Sequence, residues 1–269
     1  MQVPQTKLSD QGHQALLEAY LKTLNLPMFL EHYQAYAKDA MRSGQSPERF
    51  LLALCEAENS HRDAQRIEHG IKMAKLPFIK EISTFDFSAI ESIQRTRVLE
   101  LAQGGYITSA ENLLLLGAPG LGKTHVAIAL ALAACRQGKR VRFYRTAKLV
   151  DDLMVQQHNL SLSRFTSKFE RLDLLVLDEL GFFPVAREGT QLLFQLCSDL
   201  YEKVSMIVTS NLKFSEWKQI FGDEKLTAAF IDRLTHKGHI LEFVGESYRY
   251  RHRLEPPNER SGETKTDPE

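Results

Sequence analysis

The stretch Gly117-Ala118-Pro119-Gly120-Leu121-Gly122-Lys123-Thr124 limits what this chain can be more than any other. It has the spacing G-x-x-x-x-G-K-[ST], in which glycines let the backbone curl until successive N–H groups point at phosphate oxygens. Lys123 brings a point charge to the outer phosphates and Thr124 offers a hydroxyl to Mg²⁺. A helix starting at the lysine turns its positive end toward the anion. The flanks agree with this. Residues 112–116 form a short apolar run of the kind a buried parallel strand needs, and 125–135 are Ala-rich and helical. The loop, with the adjoining His125, therefore predicts a binding site for ATP and Mg²⁺.

Downstream, the pattern alternates. Strands are expected at 112–116, 141–145, 173–178, 205–209 and 239–244, and helices at 123–136, 146–156, 163–171, 188–203, 215–220 and 224–236. That alternation argues an α/β fold, a parallel sheet with helices on both faces and ligands at the carboxyl ends of its strands. The run Leu-Asp-Leu-Leu-Val-Leu-Asp-Glu at 172–179 ends a buried strand in two acids. A strand ending in a polar turn is common, but after a phosphate loop the pair reads as a Walker B element. Asp178 would hold Mg²⁺ through water and Glu179 would polarise the attacking water.

The strand at 205–209 ends in Ser210 and Asn211. Asparagine after a strand is often only a turn residue, but if this strand lies between the other two motif strands, Asn211 can reach the γ-phosphate and the water. Arg233, late on the last helix, has two readings: a salt bridge within the subunit, or a finger given in trans to a neighbour's ATP. The second would place ATP at subunit interfaces of a homo-oligomer.

Residues 1–78 read as a separate bundle of three helices. Leu16, Leu17, Tyr20, Leu21 and Leu24 share one helical face and are expected to be core. Residues 79–111 read as a linker and brace, with an amphipathic helix over 89–103 and an aromatic pair, Phe85 and Phe87, for which simple packing is favoured over a role in seating the linker on the next domain. The ATPase core is expected over 112–253 and a disordered polar tail over 254–269. Lys and Arg total 34 and Asp and Glu total 34, so whole-chain charge does not advertise nucleic acid, and any polyanion site must come from local clustering. Cys55, Cys135 and Cys197 are scattered, which fits reduced thiols in a cytoplasmic protein rather than a disulfide framework or zinc site. No apolar run approaches membrane-spanning length.

In order along the chain stand the phosphate loop, Leu-Val-Leu-Asp-Glu-Leu-Gly at 175–181, Thr-Ser-Asn at 209–211, Asp-Arg-Leu at 232–234 and Gly-Glu-Ser-Tyr-Arg at 245–249. Together with the stretches at 74–78 and 85–88, they make the chain resemble the IstB-like ATPases, transposition helpers of a bacterial insertion-sequence family, over roughly residues 12 to 253. The DnaC helicase loader is similar in pattern. The resemblance implies an AAA+ P-loop core preceded by a small helical domain, ATP-dependent assembly on double-stranded DNA and cooperation with a transposase. It also implies roles for Gly117, Gly120, Gly122, Lys123 and Thr124 in phosphate binding, Asp178 and Glu179 in metal binding and water activation, Asn211 as sensor and Arg233 as finger. Arg249 is either a second nucleotide-sensing arginine or a structural or DNA contact. The chain ends soon after its last strand, which leaves no room for a C-terminal helical lid.

Two basic clusters are candidate DNA contacts: Arg136, Lys139, Arg140, Arg142, Arg145 and Lys148, a run with no acid between them, and Arg62 with Arg66 on the third helix. Charge alone favours solvated faces for both; the resemblance favours a phosphate-tracking surface. The alternative functions are a helicase loader with the same fold and a small-molecule phosphotransferase.

Overall fold

The structure, a computed structural model, describes residues 9–181 and 186–245. Arg249 and the tail over 254–269 lie outside them. The chain falls into two compact units, divided between His69 and Gly70.

The first unit is built from α1 (Asp10–Thr23), α2 (Pro27–Ser43) and the N-terminal part of α3 (Pro47–Ala74). Ser9 caps α1 by accepting from the Gly12 amide. Proline opens both α2 and α3, where its missing N–H costs nothing. Leu26 gives α2 no side-chain cap. Glu58 of α3 supplies one instead, accepting from the Met28 amide at 3.0 Å and from Arg62 Nε at 2.7 Å. Arg62 reaches on to the carbonyl of Asn25, 2.8 Å away, and so clamps the α1–α2 turn.

The apolar stripe of α1 departs from expectation. Leu21 is buried, but Leu16, Leu17, Tyr20 and Leu24 are exposed, Leu24 at 65%. Three helices of this size enclose only a narrow seam, because surface outgrows volume in small units.

The second unit is organised on a five-stranded parallel sheet of β1 (Asn112–Gly117), β2 (Val141–Arg145), β3 (Leu174–Leu180), β4 (Ser205–Ser210) and β5 (Gly238–Phe243). The order among described residues is β2-β3-β4-β1-β5. Successive residues of β1 alternate between two cores, as a strand period of two requires. Leu113 and Leu115 join the core formed with α4 (Arg95–Ala102), α5 (Gly105–Thr108) and α6 (Lys123–Arg136). Leu114 and Leu116 join the other, with α7 (Thr146–His158), α9 (Arg187–Asp199), α10 (Lys218–Phe221) and α11 (Glu224–Thr235). The short α8 (Leu162–Thr166) packs its Phe165 against that same core.

The helix expected over 89–103 is shorter. A 3-10 turn at Phe87–Ala89 is followed by non-helical Ile90 and a turn, and α4 starts only at Arg95. Ile90 and Ile93 are buried individually rather than as a helical stripe, and Ser92 exchanges hydrogen bonds with the backbone of Val244. The whole brace is thereby part of the first of these cores. The helix expected over 163–171 is likewise divided, into α8 and a 3-10 turn at Phe169–Arg171.

Candidate functional site

Gly117 ends β1 with φ of +141°, and a Cβ placed there would lie 2.2 Å from the carbonyl oxygen of Phe243 on β5. Only glycine allows that approach. At Gly122, a Cβ would meet the Phe85 ring at 2.5 Å, so Phe85 of the brace packs on the phosphate loop, with Phe87 edge-on to it. α6 begins at once with Lys123, which is 8% exposed. Its Nζ donates to the carbonyls of Gly117 and Ala118, at 2.6 and 2.8 Å, placing the ammonium inside the curl of the loop.

His125 lies edge-on to Phe85, 5.3 Å between centroids. Burial lowers its pKa, and because a carbonyl only accepts, Nε2 donates to that of Glu81 at 3.1 Å.

The carboxyl ends of β3 and β4 face this loop. Asp178 is 2% exposed, and its Oδ1 accepts from Thr124 Oγ1 at 2.8 Å and from Thr209 Oγ1 at 2.7 Å. Glu179 follows with φ of +62°, and its side chain stands 3.9 Å from Arg145 Nε. β4 does lie between β1 and β3, which brings Asn211 to the same cleft. Asn211 Oδ1 is buried with no hydrogen-bond partner, the state expected of a group whose partner is a ligand. The cleft, about 520 Å³, continues past the loop to Phe78, Ala89 and Ile90, an apolar end suited to a base.

Lys123, Thr124, Asp178, Glu179 and Asn211 are thus brought together. The donor set fits Mg²⁺: a hydroxyl and a carboxylate, both hard oxygens, already within hydrogen-bond distance of each other. Among the described residues no cluster of three or more His, Cys, Asp or Glu could hold a metal by itself. Phosphate oxygens and water would complete the coordination.

Arg233 is elsewhere. It sits on α11 with its guanidinium 4.8 Å over the Phe194 ring and does not line the cleft. Most of the basic candidates are partnered by acids, some from distant segments and some one turn away on the same helix. Arg136 makes a bidentate pair with Glu81, which holds that carboxyl below its ordinary value. Arg140 pairs with Asp173 through both its guanidinium and its amide. Partial burial pushes the Asp173 carboxyl up, but these bonds and the charge of Lys139 outweigh it and hold it low. Lys148 pairs with Asp152 at 2.8 Å and Arg66 with Asp63 at 3.1 Å. Arg142 donates to the carbonyl of Met73 and lies over the Tyr144 ring. Arg62 is held by Glu58 and Asn25.

Sequence reasoning gave no role to Thr209, Thr146 or the Arg145–Glu179 pair. Thr146 Oγ1 donates to the carbonyl of Asp178 at 2.9 Å. For Thr209 the signal was its place two residues before Asn211 on the motif strand. The other contacts cross between segments and leave no mark in local spacing.

Comparison with known proteins matches residues 19–256 to the family of IstB-like ATP binding proteins. An insertion sequence ATP-binding protein of Sinorhizobium fredii is 37% identical over 248 residues, covering 92% of this chain and 83% of that protein. The ATP-binding protein of insertion sequence IS21 from Pseudomonas aeruginosa is 37% identical, covering 87% and 88%. Among solved structures, AMPPCP-bound DnaA from Aquifex aeolicus matches with a TM-score of 0.54 at 19% identity, over 69% of this chain and 59% of that one. DnaI matches with a TM-score of 0.51 at 17% identity, over 62% and 89%. These structural likenesses support the AAA+ P-loop fold. Among the described residues no helix is long and apolar enough to cross a membrane. With a family match that takes in both units and relatives covered over most of their length, the chain belongs to the IstB-like ATP-binding proteins.

Proposed function

We propose that this protein is an ATPase that assembles on double-stranded DNA and assists the transposase of an insertion sequence. The convergence of Lys123, Thr124, Asp178, Glu179 and Asn211 in one cleft carries the ATPase reading, and the names of the relatives carry the insertion-sequence context. In this reading Lys123 exchanges the loop carbonyls for phosphate oxygens. Asn211 Oδ1 gains the partner it lacks by accepting from the attacking water, while its Nδ2 donates to the γ-phosphate. Thr124 and Asp178 would hold Mg²⁺, which would supply charge neutralisation to the phosphates. Glu179, at the open mouth of the cleft, orients and deprotonates the attacking water.

Arg233, away from its own cleft, serves a neighbour's, so hydrolysis requires the oligomer. Phosphate contacts from residues such as Arg145 and Arg142 hold DNA without reading sequence. The helices of 1–78 face DNA or the transposase, and 79–111 join them to the core over 112–253. The helicase-loader reading keeps the same fold, but the relatives cited are insertion-sequence proteins.

Glu179→Gln tests this directly. The variant is expected to bind ATP, stay assembled on DNA and lose turnover by about 100-fold or more. Turnover at the wild-type rate would place the base elsewhere.

A further inference from the structure

The ladder between β3 and β4 runs in register to Leu177 opposite Val208 and resumes at Leu180 opposite Ser210. Between these points Asp178 and Glu179 on β3 oppose Thr209 alone on β4, which is a β-bulge. The bulge falls on the two acids of the site and puts Glu179 in the left-handed region, φ of +62°, where an L-residue with a long side chain is unfavourable.

A bulge leaves backbone groups without ladder partners, and here hydroxyls take them. The Glu179 amide donates to Thr209 Oγ1 at 2.9 Å. The carbonyl of Asp178 accepts from Thr146 Oγ1, and that of Leu180 from Ser210 Oγ at 2.8 Å. Thr209 has a second bond, because its own proton goes to Asp178 Oδ1 at 2.7 Å. A hydroxyl has one proton to give, so the direction of both bonds is set. Thr209 is 1% exposed and out of competition with solvent.

We infer that Thr209 is a positioning residue for the hydrolytic step. It ties the carboxylate of Asp178 to the backbone of Glu179, so the metal-holding acid and the water-activating acid keep a fixed separation. It also holds Glu179 in the conformation that aims its side chain into the cleft. The inference rests on the ATPase reading above. Valine at this position keeps the shape, removes both bonds, strands the Glu179 amide and lets the bulge relax.

The test compares wild type, Thr209→Val, Thr209→Ser and Glu179→Gln in the full chain with DNA present. ATP affinity is read from a fluorescent nucleotide, and kcat and KM from phosphate release below the melting temperature of each variant. Amide exchange at the end of β3 is read in the nucleotide-free protein. Thr209→Val is expected to bind ATP within about threefold of wild type, lose about 30-fold in kcat, and exchange the Glu179 amide faster. Thr209→Ser should restore both readouts to within about threefold, since it returns the hydroxyl. If Thr209→Val does not fold, Thr209→Ala carries the same comparison.

Wild-type turnover that is lost in Glu179→Gln but kept in the Thr209 variants would overturn the assignment and leave the ATPase reading intact. Loss in Thr209→Val that serine does not rescue would also overturn it. No turnover in wild type would overturn both.

Discussion

Replacing Gly117 by alanine should destabilise the ATPase unit by about 3 kcal/mol or more. The residue holds the last paired position of β1, opposite Phe243 of β5. The added Cβ would lie 2.2 Å from the Phe243 carbonyl oxygen and 2.9 Å from its Cβ. A carbon–oxygen contact needs about 3.3 Å, so the strands must part locally by about 1 Å. The nearest atom is backbone and cannot rotate aside. Overpacking of this kind costs about 1–3 kcal/mol, and a backbone angle that L side chains avoid costs about 1–3 kcal/mol more. For a unit of this size each kcal/mol moves the melting temperature by about 2–4 °C, so a fall of about 6–12 °C is expected.

Gly138→Ala is the matched control. Its φ is also positive, +76°, but a Cβ there meets nothing within 4 Å. It should cost about 1 kcal/mol, from backbone strain alone. Calorimetry or circular dichroism melts of both variants, with and without ATP, read the difference. Equal shifts for the two, or a Gly117→Ala melt within about 2 °C of wild type, would refute the close-approach reasoning.

Three further outcomes follow from contacts in both units. Glu58→Ala removes the α2 cap and leaves Arg62 without its carboxylate, so it should cost about 2 kcal/mol and speed proteolysis near the α1–α2 turn; unchanged cleavage there would contradict the clamp. Glu81 and Asp173 are held below their ordinary values by Arg136 and Arg140, so each contributes stability that is full above the unfolded carboxylate pKa and lost as pH falls through the lower folded one. Melting temperature should therefore drop on acidification below about pH 4, and the acid limb should shrink in Glu81→Gln. Arg233→Ala should be inactive alone yet regain turnover when mixed with Lys123→Ala subunits, which keep the finger and lack a working loop; no complementation would confine Arg233 to its stacking on Phe194.

The sheet is legible because its central strands are buried on both faces and read as apolar runs, Leu-Leu-Leu-Leu at 113–116 and Leu-Leu-Val-Leu at 174–177, each ending in polar chemistry. That let the order of motifs place Asn211 beside Asp178 before any contact was known. What escaped depends on pairing between distant segments. The β3 bulge is invisible locally because Glu179 carries no glycine-like signal for its positive φ. The basic run from Arg136 to Lys148 contains no acid, yet Glu81 and Asp173 reach it from other segments. The helix over 89–103 is shorter than its pattern predicts because Ile90 and Ile93 have helical spacing but are buried through a turn. On α1 the same periodicity marks a face that the small unit leaves exposed.

The central claim couples the cleft to assembly on DNA. One measurement addresses it: ATP hydrolysis with and without double-stranded DNA, with sedimentation recording particle size in the same samples. The expected result is growth of large particles in ATP and DNA together with faster turnover, both abolished by Lys123→Ala. Turnover by a monomer at a rate indifferent to DNA would contradict the claim.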